Sequence, residues 1–444
     1  MNILEGRIKQ THKAENKGKY ILYWMQGAFR CNYNHSLEFS IYLSNLYNLP
    51  LIVLVILNLD YPEANYRSFK FFLEGLNDIS NTLKNRKISL HLRKGRFESV
   101  LSEYKTNIHT LVTDKSYLPN LKNIKIDIFK KLNLNSYEVD TNLVVPVEIA
   151  SSKMEYGGYT IRPKIKRLYE NYISDFSMND YKNAYVEQII DFDINDTDSL
   201  LKSVEYVSPI NIKGGEKNAE NTLEYFIQTG FKRYALQRND PCSNVESNLS
   251  PFLHFGHISP IKVLKTLPHD DFENYEAFLE QIVIRRELAH NFTFYSDTTN
   301  NLSKYLPKWA KDTLFDHKQD EKKYLYKLKD FEQANTHDIY WNAAQKELLK
   351  TGKIHNYMRM YWGKKIIEWS NDYKEAYNIM AYLNNKYAID GRDPNSYAGI
   401  MWCFGMHDRP FIERDIFGKI RYMSENGLKR KFDIEKYYKM WSIK

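Results

Sequence analysis

The sequence predicts a two-part chain. An N-terminal doubly wound, Rossmann-like parallel-sheet domain is joined by a long linker to an all-α C-terminal domain. Three observations predict it. The 444 residues exceed what one hydrophobic core normally serves. Apolar runs without polar alternation, separated by helix-like stretches, fill the first third, as in a parallel sheet covered on both faces. From about residue 213 onward, apolar residues recur at spacings of three and four.

Residues 1–19 are polar and basic and are expected to form a flexible arm. The α/β domain is expected over 20–147. Its strands are YILYWM (20–25), PLIVLVIL (50–57), ISLHLRKG (88–95), HTLVTD (109–114) and a last run within SYEVDTNLVVP (136–146). NHSLEFSIYLSNLYN (34–48) is one of the helices between them. No G-x-G-x-x-G loop is present, so ordinary dinucleotide binding is not expected there. Residues 148–212 read as a linker with helical pieces, among them IRPKIKRLYENYI (161–173), and with an acidic, loop-like DFDINDTDS (191–199). Residues 213–444 read as helices, including YEAFLEQIVIRRELAHNFTFY, IYWNAAQKELLKTG and KIHNYMRMYWGKKIIEW.

Composition narrows the function. Hydrophobic residues make up 43% and aromatic residues 15%, with 35 Tyr, which suits a folded protein and a site built from rings. A net charge of +8 fits an anionic partner or simply a soluble basic protein. Cys31, Cys242 and Cys403 are scattered, which argues against disulfides and zinc and suits a reducing cytoplasm. The twelve histidines show no metal-ligand spacing, and no P-loop, G-x-S-x-G or H-E-x-x-H occurs. The N-terminus lacks a signal-peptide apolar run, and LIVLVIL (51–57) is too short to span a bilayer.

Four segments could carry chemistry. In SNLSPFLHFGHIS (247–259), Ser250 before Pro251 is a helix start, and Ser247 and Asn248 add polar groups just ahead. Such an end suits a phosphate, or is an ordinary capped helix. In YLNNKYAIDGRDPNSYAGIMW (382–402), Asp390 and Asp393 sit in a turn-rich loop between helices and could accept from a ring N–H or pair with an arginine, Arg359 being a candidate partner. A buried Arg–Asp pair is a poor way to gain stability and would point to function; a surface turn is the other reading. In KIHNYMRMYWGKKIIEWS (353–370), Trp362 and Trp369 are seven residues apart, roughly 10 Å along one helix face. Trp341 precedes them across a short Thr351-Gly352-Lys353 turn, so antiparallel packing brings it near Trp362. The rings are an aromatic core, a path, or both. Finally, residues 409–431 hold seven basic and three acidic residues among Phe and Tyr, which suits a nucleic-acid backbone or a solvated face.

The sequence resembles the photolyase/cryptochrome flavoproteins, specifically the class II cyclobutane pyrimidine dimer photolyases. The resemblance runs from about residue 20 to nearly the end. It is carried by LYWMQ (22–26), NHSLEFSIYLS (34–44), EYGGYTIRPKI (155–165), GGEKNAENTLEYF (214–226), SNLSPFLHFGHIS, THDIYWNAAQKELLKTGKIHNYMRMYWGKKIIEW (336–369), DGRDPNSYAGIMW (390–402) and FGKIRYM (417–423). It implies light-driven repair of pyrimidine dimers in DNA. Excited, reduced anionic FAD gives an electron to a flipped-out dimer, the cyclobutane ring splits and the electron returns. It implies a helical FAD-binding domain, with an antenna chromophore such as a folate or deazaflavin possible in the α/β domain, and a monomer acting on DNA without metal or membrane.

The resemblance also assigns residues. Tyr234, Ser247, Asn248, Leu249 and Ser250 match the phosphate-binding part. Arg359 and Asp390 match a pair beside the flavin ring, and Gly391 and Arg392 continue that loop. Asn384 matches an asparagine near flavin N5. Trp362, Trp341 and Trp369 match tryptophans that pass electrons inward from the surface. Tyr357 and Met360 would meet the lesion, and Trp402 would stack on it. Arg238, Asn239, Arg409 and Arg421 match positions at the lesion or DNA strand.

Three departures stand out. Gln281 occupies the position of a glutamate that hydrogen-bonds the dimer; it can donate but cannot carry charge. Glu280, about 100° away on an α-helix, is a poor substitute. Phe411 stands where tryptophan is expected, and Gly27 replaces a residue that is often polar or basic. Gln281 favours an alternative, a cryptochrome-like FAD photoreceptor without repair. A light-independent DNA-binding protein would need neither the tryptophans nor the flavin loop.

Overall fold

The computed structural model describes residues 5–174 and 176–442. Seven strands form one sheet: β1 (Ile8–His12), β2 (Tyr20–Trp24), β3 (Leu51–Leu57), β4 (Ser89–Lys94), β5 (Ile108–Asp114), β6 (Ser136–Val139) and β7 (Gln188–Ile190). Their order is β1-β6-β5-β2-β3-β4-β7. All neighbours are parallel except β1 and β6. The central β3 is buried along its whole length, which explains its unbroken LIVLVIL. Helices cover both faces. The helix His35–Tyr47 starts at Asn34, whose side chain accepts from Leu37 N, and ends at a left-handed Asn48. The helix Tyr66–Asn85 begins with a reciprocal Asn65–Ser68 capping box.

Two expectations are corrected at the edges of this sheet. The basic arm expected over 1–19 is not loose where it is described. It supplies a 3₁₀ turn and the edge strand β1, which pairs antiparallel with β6. Arg7 is buried and donates to the carbonyls of Asp140 (3.0 Å), Leu143 (3.0 Å) and Val144 (2.6 Å). The stretch 148–212 is more than a linker. Its β7 extends the sheet beside β4, and its helix Gly158–Ser174 contributes Ile161 and Ile165 to a core shared with the later helices. The last run expected over 136–146 is a strand only to Val139; Leu143–Val145 are buried as a loop.

Beyond residue 213 the chain is helical. A large core gathers the helices Ile339–Thr351, Asn356–Trp369, Tyr373–Tyr387 and Pro394–Cys403. Gly352 caps the first of these in the left-handed conformation, so the next can turn back against it. No helix among the described residues is long and apolar enough to cross a membrane. No group of three or more His, Cys, Asp or Glu that could hold a metal occurs among them.

Candidate functional site

The expected Arg–Asp pair forms. Arg359 Nη2 donates to Asp390 Oδ1 at 3.2 Å, with side-chain exposures of 28% and 12%. Arg359 projects from the helix Asn356–Trp369, and Asp390 from the loop between the next two helices. That loop lies tight on the preceding helix end. A Cβ on Gly391 would stand 2.8 Å from the Asn384 carbonyl and 2.9 Å from that of Ala388, so only glycine fits. Asn384 is buried on the same helix end. On the following helix, a Cβ added to Gly399 would meet nothing within 4 Å, which leaves open space.

The segment before Pro251 is tied by Lys353 to the turn that opens the Arg359 helix. Lys353 Nζ donates to Asn248 Oδ1 at 2.6 Å and pairs closely with Glu246. Burial would raise the Glu246 carboxyl, but the charges of Lys353, His355 and Arg359 outweigh it and hold it below its ordinary range. Tyr234 is buried edge-on to Phe226 and Phe278, and burial pushes its hydroxyl up to about 12. Two expectations need correcting here. Ser250 does not cap its helix: the cap position is Leu249, with no side-chain bond. Arg392, expected to continue the flavin loop, is committed to backbone carbonyls. It adopts φ +58° and donates to the carbonyls of Asn385 (2.8 Å) and Glu63 (3.1 Å), which ties the loop to the α/β domain. Of the two partners open to Asp393, a ring N–H and an arginine, the structure gives a ring nitrogen: His254 Nδ1 lies 3.0 Å from its carboxylate.

The tryptophans form a continuous series. Trp362 and Trp341 stack almost parallel, 6.4 Å between ring centres and 6° between planes. Trp341 meets Trp369 edge-on at 6.1 Å. Trp341 Nε1 donates to the Trp362 carbonyl at 3.0 Å, and Trp362 Nε1 to Gln345 at 2.9 Å. Tyr361 OH bonds Asp338, which caps the helix carrying Trp341. Trp369 itself is only 2% exposed, so it is not at the surface as expected. The exposed His337 lies 4.9 Å from it, and Tyr326 at 5.8 Å.

The expected lesion-facing residues divide into groups. Tyr357 and Met360 are half-buried, and Tyr357 stands beside Phe432 (4.8 Å) and under Lys431 (4.3 Å). Trp402 is half-buried under Arg285. Arg409 lies over the partly exposed Phe411 at 5.9 Å, and Arg421 and Asn239 are exposed. Arg238 ends a short helix and is half-buried. Gln281 is half-buried in a π-helical turn, Glu280–Arg285. Glu280 is committed elsewhere: Arg162 and Arg285 both donate to it.

Sequence reasoning missed several buried groups. Lys364 is fully buried and donates to the Cys403 carbonyl, and burial pushes it down to about 8. Glu347 accepts from Tyr437 OH and from His355 N; burial, with the nearby charge of Glu246, pushes it up to about 7. A carboxyl raised on folding stabilises fully below its unfolded value and loses that stability as pH rises through the folded one. The contribution of Glu347 is therefore expected to fall between roughly pH 5 and pH 8, read as the difference in melting temperature between the protein and Glu347→Gln across that range.

One cleft lies at the C-terminal ends of β2, β3 and β5, where the sheet meets the helices. It measures about 200 Å³ and is lined by Trp24, Tyr61, Phe97, Tyr117, Lys115 and Arg286 among others. Arg392, Asp393 and Pro394 close its far side, so it shares a loop with the Arg359–Asp390 pair.

The architecture is that of the photolyases. A class III photolyase from Agrobacterium tumefaciens superposes with a TM-score of 0.71, at 18% identity, over 96% of this chain and 87% of that one. An archaeal photolyase from Sulfolobus tokodaii, solved with two FAD molecules, gives 0.69 at 15% identity over 95% and 89%. The DNA photolyase family profile matches residues 21–180. The deoxyribodipyrimidine photo-lyase of Methanothermobacter thermautotrophicus is 42% identical over 97% of both chains. Those of Arabidopsis thaliana and Potorous tridactylus are 36% and 34% identical, over 94% and 97% of this chain and 88% and 82% of theirs. The chain belongs to the DNA photolyase family.

Proposed function

We propose that the protein is a light-driven deoxyribodipyrimidine photo-lyase of the class II type, acting as a cytoplasmic monomer on DNA that contains pyrimidine dimers. The observation that carries this reading is the meeting of two features on one helix: the Arg359–Asp390 pair and a stacked tryptophan series starting at Trp362.

The residues fit FAD. The pair leaves both side chains partly open, and Lys353 holds the Ser247–Ser250 segment at the start of the Arg359 helix. Tyr234 and Ser247–Ser250 would hold the phosphates; Arg359, Asp390, Gly391 and Asn384 would surround the ring. When bound and reduced, FAD supplies the light-excited electron that splits the dimer. The chain does the rest. Asn384 offers both a donor and an acceptor for holding a proton beside the ring. Trp369, Trp341 and Trp362 conduct electrons inward, with His337 and Tyr326 as the contacts toward solvent. Trp402, Tyr357 and Met360 receive the dimer, and Arg238, Asn239, Arg409 and Arg421 hold the strand. Arg392 belongs to the tie between domains. The aromatic cleft at the C-terminal ends of β2, β3 and β5 suits a planar antenna chromophore.

Gln281 favours the second reading, a photoreceptor without repair. The two are separated by incubating the flavin-loaded, photoreduced protein with a thymine-dimer oligonucleotide in light and in darkness. Loss of dimer only in light is expected. Gln281→Glu, which restores a carboxyl at the dimer, is expected to repair more per absorbed photon. A protein that photoreduces while neither form repairs is a photoreceptor.

A further inference from the structure

One segment that carries the resemblance has no part in the flavin site or the electron series: EYGGYTIRPKI, residues 155–165. The structure sets it behind Trp402 through two separate sets of contacts. In the first, Arg162 donates to both oxygens of Glu280, at 3.0 and 2.8 Å. Glu280 Oε1 also accepts from Arg285 Nε at 2.9 Å. The guanidinium carbon of Arg285 lies 5.2 Å from the centre of the Trp402 ring. In the second, His407 Nδ1 lies 2.7 Å from the Tyr156 carbonyl, and the His407 ring stands edge-on to Trp402 at 6.0 Å and 77°.

The local winding makes the first set possible. In an α-helix, residues five apart point about 140° from each other. The π turn over Glu280–Arg285 is wider and brings the two side chains together. Charge and protonation fit this role. Burial would raise the Glu280 carboxyl, but hydrogen bonds from Arg162 and the charges of both arginines hold it below its ordinary value. Burial pushes His407 down to about 4, so the neutral ring donates its Nδ1 proton to Tyr156 O.

We propose that Arg285 and His407, anchored by the 155–162 segment, are positioning residues that fix the Trp402 ring and so set the preference for dimer-containing over undamaged DNA. This rests on reading Trp402 as the platform for the lesion. A half-buried indole without these props can swing, and a swinging ring gives up part of its stacking on an extruded base. Arg285 also adds a planar cation against the ring, a contact that lysine reproduces poorly.

The test is equilibrium binding in darkness by the flavin-loaded, full-length protein. The probes are a duplex carrying one thymine dimer and the same duplex undamaged. Arg285→Met is expected to weaken dimer binding roughly tenfold, with little change on undamaged DNA. Arg285→Lys keeps the charge and is expected to lose much of the same discrimination. Glu280→Gln should act in the same direction, and the Glu280→Gln/Arg285→Met double variant should be no worse than Arg285→Met alone. Flavin absorbance and photoreduction should be unchanged in all of them. Equal losses on both duplexes with a shallower salt dependence would make Arg285 a phosphate contact and overturn the proposal. Unchanged discrimination in the Arg285 variants, alongside its loss in Trp402→Ala, would overturn it and leave the platform reading intact. Discrimination retained by Trp402→Ala would overturn both.

Discussion

Arg359→Ala is expected to purify largely without flavin. The substitution leaves the Asp390 carboxylate, 12% exposed, without its only ion-pair partner among the described residues. Removing one member of a buried pair costs about 3–5 kcal/mol, and the partial exposure of this one reduces that to about 2–3 kcal/mol. That cost falls on the fold; the loss of affinity comes from the missing guanidinium contact with the flavin, about 2–3 kcal/mol for a charge-assisted hydrogen bond, which at 1.4 kcal/mol per decade lowers FAD affinity roughly 30- to 150-fold. The same side chain also helps hold Glu246 ionised, so the segment before Ser250 loses part of its electrostatic support. Asp390→Asn, which keeps the shape and removes the charge, is expected to lose affinity in the same direction. The check is flavin occupancy and titration of the apo-protein with FAD, with circular dichroism confirming the fold. Full occupancy in Arg359→Ala would remove the pair from the flavin site.

The second large effect concerns Trp341. It is the middle ring, parallel to Trp362 on one side and edge-on to Trp369 on the other. Phenylalanine would fill most of the space but is far harder to oxidise, and it removes the Nε1 donor to the Trp362 carbonyl. Trp341→Phe is expected to keep FAD and to lose photoreduction by an external donor. Chemically reduced Trp341→Phe should still repair dimers if, as proposed, the series only refills the cofactor and takes no part in splitting the ring. Photoreduction at the normal rate would show that electrons enter by another route. Normal photoreduction combined with lost repair would contradict the division of roles between this series and Trp402.

The sequence was legible where burial dictates pattern. The all-apolar β3 announced a parallel sheet because both its faces are covered. The edge strands were not legible. In β1, IKQTH is largely exposed and pairs through its backbone, and β7 is a three-residue, mostly exposed QII; neither carries an apolar signature. Arg7 likewise reads as a surface charge until the carbonyls of Asp140, Leu143 and Val144 close around it.

The candidate site divides in the same way. The tight turn between the two helices was enough to bring Trp341 near Trp362, since antiparallel packing follows from it; the edge-on contact of Trp341 with Trp369 was not read from the spacing. The Arg359–Asp390 pair was visible as a charge on a helix facing an acidic turn. Arg392 was not: it adopts φ +58° and donates to the carbonyls of Asn385 and Glu63, the latter 329 residues away in the chain. The Glu280–Arg285 contact was hidden by the assumption of α-helical winding, under which the two side chains diverge. Glu347 and Lys364 look like ordinary helix-surface charges in the sequence, and only the packing of neighbouring helices buries them.

The central claim is that this chain splits pyrimidine dimers with light. The most direct measurement is the ultraviolet absorbance recovered by a thymine-dimer oligonucleotide per photon absorbed, with the photoreduced protein under blue light and a matched dark sample. Recovery is expected to grow with absorbed light, to stay at zero in darkness and to increase in Gln281→Glu. Flavin-loaded, photoreducible protein that binds the oligonucleotide and recovers no absorbance in either form would contradict that claim.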